Sequence, residues 1–126
     1  DGEKLAASKL AAELDWYDST IYTLAQIKAW DYVELRFPFA FQDLFERYSK
    51  RNHIDVTWSI AISRRESSFA PDARSHANAR GLMQLLPSTA KYVNKSTVSG
   101  SRLNQPKTNI RLGTEYLEYL KNKHFD

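Results

Sequence analysis

The chain has 126 residues, of which 42% are hydrophobic and 13% aromatic, so it can bury the core of one domain and is not a disordered chain. Its net charge of +3 suits an acidic polymer but would equally tolerate nucleic acid. Cysteine is absent, which excludes disulfides and thiolate metal sites, and no apolar run reaches membrane-spanning length.

Two short helices are predicted at the N-terminus. Residues 3–14 are strong helix formers that place four apolar side chains on one side, namely Leu5, Leu10, Ala11 and Leu14. A second helix follows the capping residues Asp18, Ser19 and Thr20, and we expect its apolar face to pack on the first helix as a hairpin. Residues 30–38 then form a linker.

The next two predicted helices contain the most apolar stretch of the chain. After Pro38, four residues recur at helical spacing opposite a charged face, namely Phe41, Leu44, Phe45 and Tyr48. Such a stripe is usually core, and the alternative is a platform on which sugars stack. Asp55 can cap the following helix, whose apolar residues are Val56, Ile60 and Ile62. Pro71 indicates that this helix ends near Ser68.

Glu66 is the candidate catalytic residue of this helix. Helical geometry places it on the same face as Ile62, while Arg64 and Arg65 are rotated away. Partial desolvation and the negative end of the helix dipole both raise the proton affinity of a carboxylate in that position. A carboxylic acid that stays protonated near neutral pH can act as a general acid. The alternative is a solvated glutamate at a charged helix end.

Two irregular segments follow the acid. Residues 71–80 have a loop composition and are expected to lie over the carboxylate. His76 is interpreted as a surface residue because no second ligand lies at metal-binding spacing, and Asn78 can adopt a positive φ. Within residues 81–86, hereafter the 81–86 turn, Gly81 allows close backbone approach. The amide of Gln84 needs partners, which are either a sugar's amide and hydroxyls or nearby backbone.

The rest of the chain is also predicted to be helical. Pro87 begins a short helix through Tyr92, and residues 94–105 form a loop. A last helix runs from Pro106 or Lys107 to Lys123, with five apolar residues inward, namely Ile110, Leu112, Tyr116, Leu117 and Leu120. The fold class is therefore all-α.

Several motifs occur together in a fixed order. Glu66-Ser67 is followed by Gly81-Leu82-Met83-Gln84 and by Pro87-Ser88-Thr89-Ala90, with Arg36-Phe37-Pro38-Phe39 before them and Thr108-Asn109-Ile110-Arg111-Leu112-Gly113 after them. This set resembles the catalytic core of the soluble lytic transglycosylases, goose-type-lysozyme-like enzymes that cut the glycan strands of bacterial peptidoglycan. The resemblance implies a lysozyme-like catalytic domain over residues 36–126 and the end of a helical solenoid region over residues 1–35.

The resemblance also implies the chemistry. Glu66 would protonate the bond between N-acetylmuramic acid and N-acetylglucosamine and then, as a carboxylate, take the proton of the 6-hydroxyl, which gives a 1,6-anhydro sugar. No second carboxylate, metal or organic cofactor is required. Substrate contacts are implied for Ser67, Ser75, Met83, Gln84 and Leu86, and Leu86 departs from the methionine that is usual in the family. Nucleic acid is not an expected partner, since no helix clusters Arg and Lys for groove recognition.

The sequence also departs from the family at its ends. The family continues into a helix with a Tyr-Asn-Ala-Gly motif, whereas this chain stops at Asp126, so we expect a domain truncated at its C-terminus. Its uncovered apolar face predicts self-association, an ordered remnant of the missing chain or a loosened domain. The alternative function is an impaired glycan- or partner-binding fragment. The chain begins Asp1-Gly2 without a signal-like segment and is interpreted as a processed or excised piece. A periplasmic location is implied by the resemblance alone.

Overall fold

The computed structural model describes residues 13, 14, 16, 18 and 41–124, and the four isolated positions are all helical. Apart from those positions, the hairpin and linker predicted for residues 3–38 lie outside the described residues. The Arg36-Phe37-Pro38-Phe39 motif lies outside them too.

Five helices follow one another within residues 41–124. They are α1 (Gln42–Arg51), α2 (Val56–Ser67), α3 (Pro87–Asn94), α4 (Gly100–Leu103) and α5 (Pro106–His124). Strand-like pairing in this range is limited to the isolated bridges from Arg74 to Arg80 and from Arg80 to Leu85. The all-α prediction is confirmed. None of the described helices is long and apolar enough to cross a membrane.

Local sequence signals determine both ends of α2. The side chain of Asp55 accepts a hydrogen bond from the Thr57 amide at 2.9 Å, which satisfies one of the amide groups left open at the start of a helix. Ser68 adopts a left-handed conformation with φ of 51°, and its N–H bonds to the Arg64 carbonyl at 3.1 Å. The predicted cap and the predicted end are confirmed, and they make Glu66 the last residue but one of the helix.

One helix was missed by the sequence analysis. Residues 100–103 fall inside the predicted loop of residues 94–105, yet they form α4. The Ser99 side chain caps this short helix by accepting from the Arg102 amide at 3.2 Å, and Leu103 is fully buried. Four residues are too few to show helical periodicity in a sequence. Burial of Leu103 in the core helps to stabilise this short helix, and that burial cannot be predicted from the local sequence.

Helix α2 contributes to two apolar clusters. Ile62 belongs to one cluster, together with Trp58, Met83, Leu85, Leu112 and Leu117, and Ile60 belongs to the other, together with Phe45, Tyr48, Leu82 and Ile110. Phe45 and Tyr48 are 0% and 4% exposed, so the aromatic stripe of α1 is core, as predicted, and not a sugar platform. Helix α2, which carries Glu66, packs against α1, and α1 in turn packs against α5, which also contacts α3 and α4. The helix with the acid is therefore held within a packed bundle.

Candidate active site

Glu66 lies at the C-terminal end of α2. Its side chain is half-buried with Oε1 shielded from solvent, whereas Arg64 and Arg65 are exposed. The carboxylate thus lies on the buried side of the helix, where helical spacing placed it. The partial negative charge of the helix C-terminus lies at the same end.

Ser67 joins the end of α2 to the 81–86 turn. Its Oγ lies 2.9 Å from the Ser63 carbonyl oxygen and 2.7 Å from that of Leu82, and it accepts from the Phe69 amide at 3.1 Å. The hydroxyl is therefore engaged with three backbone groups. Its predicted substrate contact stays a prediction, and the structure gives Ser67 a role in holding two segments together.

The 81–86 turn is hydrogen-bonded to several parts of the chain. The Gly81 amide donates to the Ala73 carbonyl at 2.9 Å, and Arg80 and Leu85 exchange backbone bonds of 2.8 and 3.0 Å. The Met83 amide donates to Oδ1 of Asn109 at 2.7 Å. Because buried backbone groups without partners are costly, this set of bonds specifies one conformation of the turn.

Gln84 is part of this internal network. It is only 8% exposed and has a positive φ of 53°, and its Nε2 donates to the carbonyls of Ala73 and Gly81, both at 3.0 Å. Both hydrogens of the amide nitrogen are therefore used by backbone, which agrees with the second of the two partners that the sequence allowed. Its contact with a sugar stays a prediction that only the amide oxygen can fulfil in this conformation.

Met83 and Leu86 are packing residues in the structure. They are 0% and 3% exposed, and Met83 belongs to the larger apolar cluster. Their predicted substrate contacts stay predictions, because the described side chains offer almost no surface to a ligand. The loss of a sulfur at Leu86 leaves the packing intact, since leucine and methionine have similar volumes.

Ser75, by contrast, is exposed. Its Oγ accepts from the Ala79 amide at 3.0 Å, and its backbone N–H bonds to the Ala79 carbonyl at 3.0 Å, so the loop holds it in place. Asn78 has φ of 70°, as its residue type allows, and its side chain accepts from Arg80 Nε at 3.0 Å. Ser75 is thus the most accessible of the predicted substrate-binding residues. His76 is exposed, as predicted, and among the described residues no three His, Cys, Asp or Glu side chains are grouped for a metal ion.

A small pocket lies beside the 81–86 turn. It is lined by Glu13, Trp16, Gln84, Leu85, Leu86, Thr89 and Tyr116. Trp16 is 6% exposed, donates from its indole nitrogen to the Met83 carbonyl at 2.7 Å and packs on Tyr116 with ring centroids 5.2 Å apart. Thr89 donates to Glu13 at 3.2 Å. The sequence predicted only a helical hairpin for this part of the chain, since no local pattern reveals a contact between residues about seventy positions apart.

The phenol of Tyr116 stays neutral beside this pocket. Burial raises the pKa of Tyr116 above its usual value, and the nearby charge of Glu13 raises it further. A neutral hydroxyl can both donate and accept a hydrogen bond, so Tyr116 adds a polar group to the wall beside Glu13, Gln84 and Thr89.

Family models match two parts of the chain. Residues 43–125 match the family described as transglycosylase SLT domain, and residues 1–33 match the soluble lytic murein transglycosylase L domain. The chain is 37% identical over 123 residues to the soluble lytic murein transglycosylase of Escherichia coli K12, covering 94% of this chain and 19% of that relative. The chain thus spans about a fifth of the relative's length.

Two solved structures are similar in fold. An inactive glutamate-to-glutamine mutant of the lytic transglycosylase Slt from Pseudomonas aeruginosa superposes with a TM-score of 0.66 at 37% identity, covering 92% of this chain and 20% of that one. The 70-kDa soluble lytic transglycosylase in complex with bulgecin A gives a TM-score of 0.65 at 36% identity, with the same coverage of 92% and 20%.

Proposed function

The chain belongs to the transglycosylase SLT family, and from that premise we propose that it carries out the lytic cleavage of peptidoglycan glycan strands with Glu66 as the catalytic acid and base. The bond broken is the β-1,4 bond between N-acetylmuramic acid and N-acetylglucosamine, and the product carries a 1,6-anhydro ring. The observation that supports this most is the position of Glu66, half-buried at the end of α2 and linked through Ser67 to the 81–86 turn.

In the first step Glu66 acts as a general acid. Shielding of Oε1 and the negative end of α2 both act against the charged carboxylate, and in this step the protonated acid donates to the glycosidic oxygen. The bond between the anomeric carbon and that oxygen then breaks, and its electron pair leaves with the N-acetylglucosamine.

In the second step the same residue acts as a base. The Glu66 carboxylate removes the proton of the muramic acid 6-hydroxyl, whose oxygen bonds to the anomeric carbon and closes the anhydro ring. One proton is given and one is taken, so Glu66 is regenerated and no water is consumed. A single carboxylate therefore suffices, whereas ordinary glycosidases use a pair.

The cation-like intermediate between the two steps needs support. The muramyl N-acetyl group can supply it when its amide is held in place. The exposed Ser75 hydroxyl, fixed by its bonds to Ala79, is suited to hold that group, and the amide oxygen of Gln84 is a second candidate. Peptidoglycan is accordingly the proposed partner, and the periplasm is the proposed location. Self-association stays a prediction, which sedimentation of the purified chain would test.

The test is Glu66→Gln in the full chain, with Glu46→Gln on the exposed face of α1 as the matched control. Glutamine is nearly isosteric but cannot exchange the proton. We expect Glu66→Gln to release no 1,6-anhydro products from purified peptidoglycan, measured by mass spectrometry, and Glu46→Gln to match the wild type. Anhydro products from a folded Glu66→Gln chain would falsify the mechanism.

The same samples separate the alternative function. If the wild-type chain cosediments with insoluble peptidoglycan but releases no products, the chain is a glycan-binding fragment and not an enzyme by itself. If it neither binds nor cuts, a protein partner is the remaining alternative.

A further inference from the structure

Asn109 is a buried polar residue in the middle of the bundle. It lies on α5, is fully buried, and uses its whole side-chain amide. Oδ1 accepts from the Met83 amide at 2.7 Å, and Nδ2 donates to the Arg80 carbonyl at 2.8 Å and to the Leu103 carbonyl at 3.0 Å. One side chain therefore bonds the 81–86 turn, the residue that precedes it and the end of α4.

The turn leaves space for this amide at Gly81. Gly81 has φ of +79°, and a Cβ added there would overlap Nδ2 of Asn109 and lie 2.8 Å from its Cγ. A side chain at position 81 and an asparagine at position 109 are thus mutually exclusive. The glycine of the turn and the asparagine of α5 fit as a pair.

In a second pair the glycine lies on α5 and the longer side chain lies on the turn. Gly113 lies one helical turn after Asn109 on the same face of α5, and a Cβ there would overlap Sδ of Met83 and lie 3.0 Å from its Cε. The turn therefore offers a glycine opposite Asn109 and a long side chain opposite Gly113. These four residues interlock the turn with α5 at two adjacent points.

The interlock extends toward Glu66 through a hydrogen bond from the Ser67 hydroxyl to the Leu82 carbonyl. Leu82, between Gly81 and Met83, has its carbonyl oxygen 2.7 Å from Oγ of Ser67, the residue after Glu66. A shift of the turn on α5 would therefore change its position relative to the end of α2. Loss of the Asn109 amide would leave the Met83 N–H without its partner, and that buried group would favour such a shift because it would seek another acceptor.

We propose that Asn109 is a positioning residue for the cleavage reaction, because its amide fixes the 81–86 turn at the distance from Glu66 that the reaction requires. This inference rests on the proposed function. Asn109 acts through the turn and does not itself touch the substrate or the reacting atoms. A shift of the turn by up to about one ångström relative to Glu66 is enough to lower turnover by about ten- to a hundredfold.

The test compares Asn109→Ala with Asp55→Ala in the full chain. Asp55 caps α2 at the end away from Glu66, so its replacement lowers stability without touching the turn. At a temperature where both variants are folded by circular dichroism, we expect Asn109→Ala to lose about tenfold or more in kcat with KM nearly unchanged. Asp55→Ala should keep the wild-type kcat.

Gly113→Ala provides an independent route if Asn109→Ala does not fold. The added methyl group presses on Met83 from the same face of α5, while alanine favours the helix itself, so this variant should remain helical. A fall in kcat with little change in KM is again expected. A folded variant of either kind with kcat within about twofold of the wild type overturns the positioning role. If Glu66→Gln is inactive in that same experiment, the proposed function still holds and only the role of Asn109 is wrong.

Discussion

The hydroxyl oxygen of Ser67 lies 2.7 Å from the carbonyl oxygen of Leu82, although fifteen positions of chain separate the two residues. This contact joins the helix that carries the acid to the turn that carries the glycine motif. It explains why a serine directly after the acid is useful even though its hydroxyl does not face solvent freely. The hydroxyl connects the end of α2 to the 81–86 turn by a hydrogen bond.

Ser67→Ala should lower the free energy of unfolding. The change removes the donor to the Leu82 and Ser63 carbonyls and the acceptor of the Phe69 amide, and losing such partners costs about 1–3 kcal/mol. Urea denaturation measures the loss. Ser88→Ala, at an exposed site in the first turn of α3, is the matched control and should change stability by less than about 0.5 kcal/mol. Equal urea midpoints for the two variants would show that the Ser67 hydroxyl contributes nothing to the free energy of unfolding.

Gln84→Ala and Ser75→Ala should separate a structural from a substrate-binding role. The Gln84 amide holds two backbone carbonyls in a nearly buried site, so its loss should lower the unfolding free energy by about 1–3 kcal/mol. Ser75 is exposed, so its replacement should leave the midpoint nearly unchanged and raise KM for glycan strands. Thermal unfolding and turnover of soluble glycan fragments measure the two effects. A large loss of stability for Ser75→Ala, with KM unchanged, would contradict its role.

The helices and their ends are predictable from the sequence, whereas the hydrogen bonds between distant segments are not. Asp55 caps α2 and Ser68 ends it because both signals act within a few residues. The bonds of Asn109 to the turn, and of Trp16 to the Met83 carbonyl, link residues 26 and 67 positions apart, and no periodicity encodes such distances. Asn109 lies within a motif on which the family resemblance rests. A polar residue on the apolar face of a predicted helix was the signal that could have indicated a buried hydrogen-bonding role for it.

The exposed tyrosines on α3 and α5 should titrate as a linked pair. The hydrogen bond with Tyr92 lowers the pKa of Tyr119 below its usual value, the hydrogen bond and charge of Lys123 lower it further, and the bond with Tyr119 raises the pKa of Tyr92. Tyr92→Phe removes the first of these effects, so Tyr119 should ionise at a higher pH than in the wild type.

Ultraviolet absorbance of tyrosinate during an alkaline titration measures this shift. Lys123→Ala should move Tyr119 in the same direction, since it removes both a hydrogen bond and a positive charge. Lys107→Ala, at the far end of α5, is the control and should leave the curve unchanged. An unshifted Tyr119 in Tyr92→Phe would show that the two phenols are not coupled in solution.

Gly81→Ala should be among the most damaging single methyl additions to this chain, and Gly100→Ala among the mildest. At Gly81 the added Cβ meets the buried amide of Asn109 and lies 3.0 Å from the Leu103 carbonyl oxygen, in a backbone conformation with φ of +79° that alanine adopts at a cost. Neither obstacle can move away, because Asn109 is hydrogen-bonded on both ends of its amide and the Leu103 carbonyl belongs to backbone. At Gly100 the nearest atoms, 2.9 Å away, belong to the guanidinium of Arg80, the flexible end of a long side chain that can swing aside. We therefore expect Gly81→Ala to lose about 2–4 kcal/mol of unfolding free energy and Gly100→Ala less than about 1 kcal/mol, measured by urea denaturation of both variants under one set of conditions. Similar losses for the two glycines would mean that the turn can move on α5, and in that event the interlock with Asn109 could not fix its distance from Glu66.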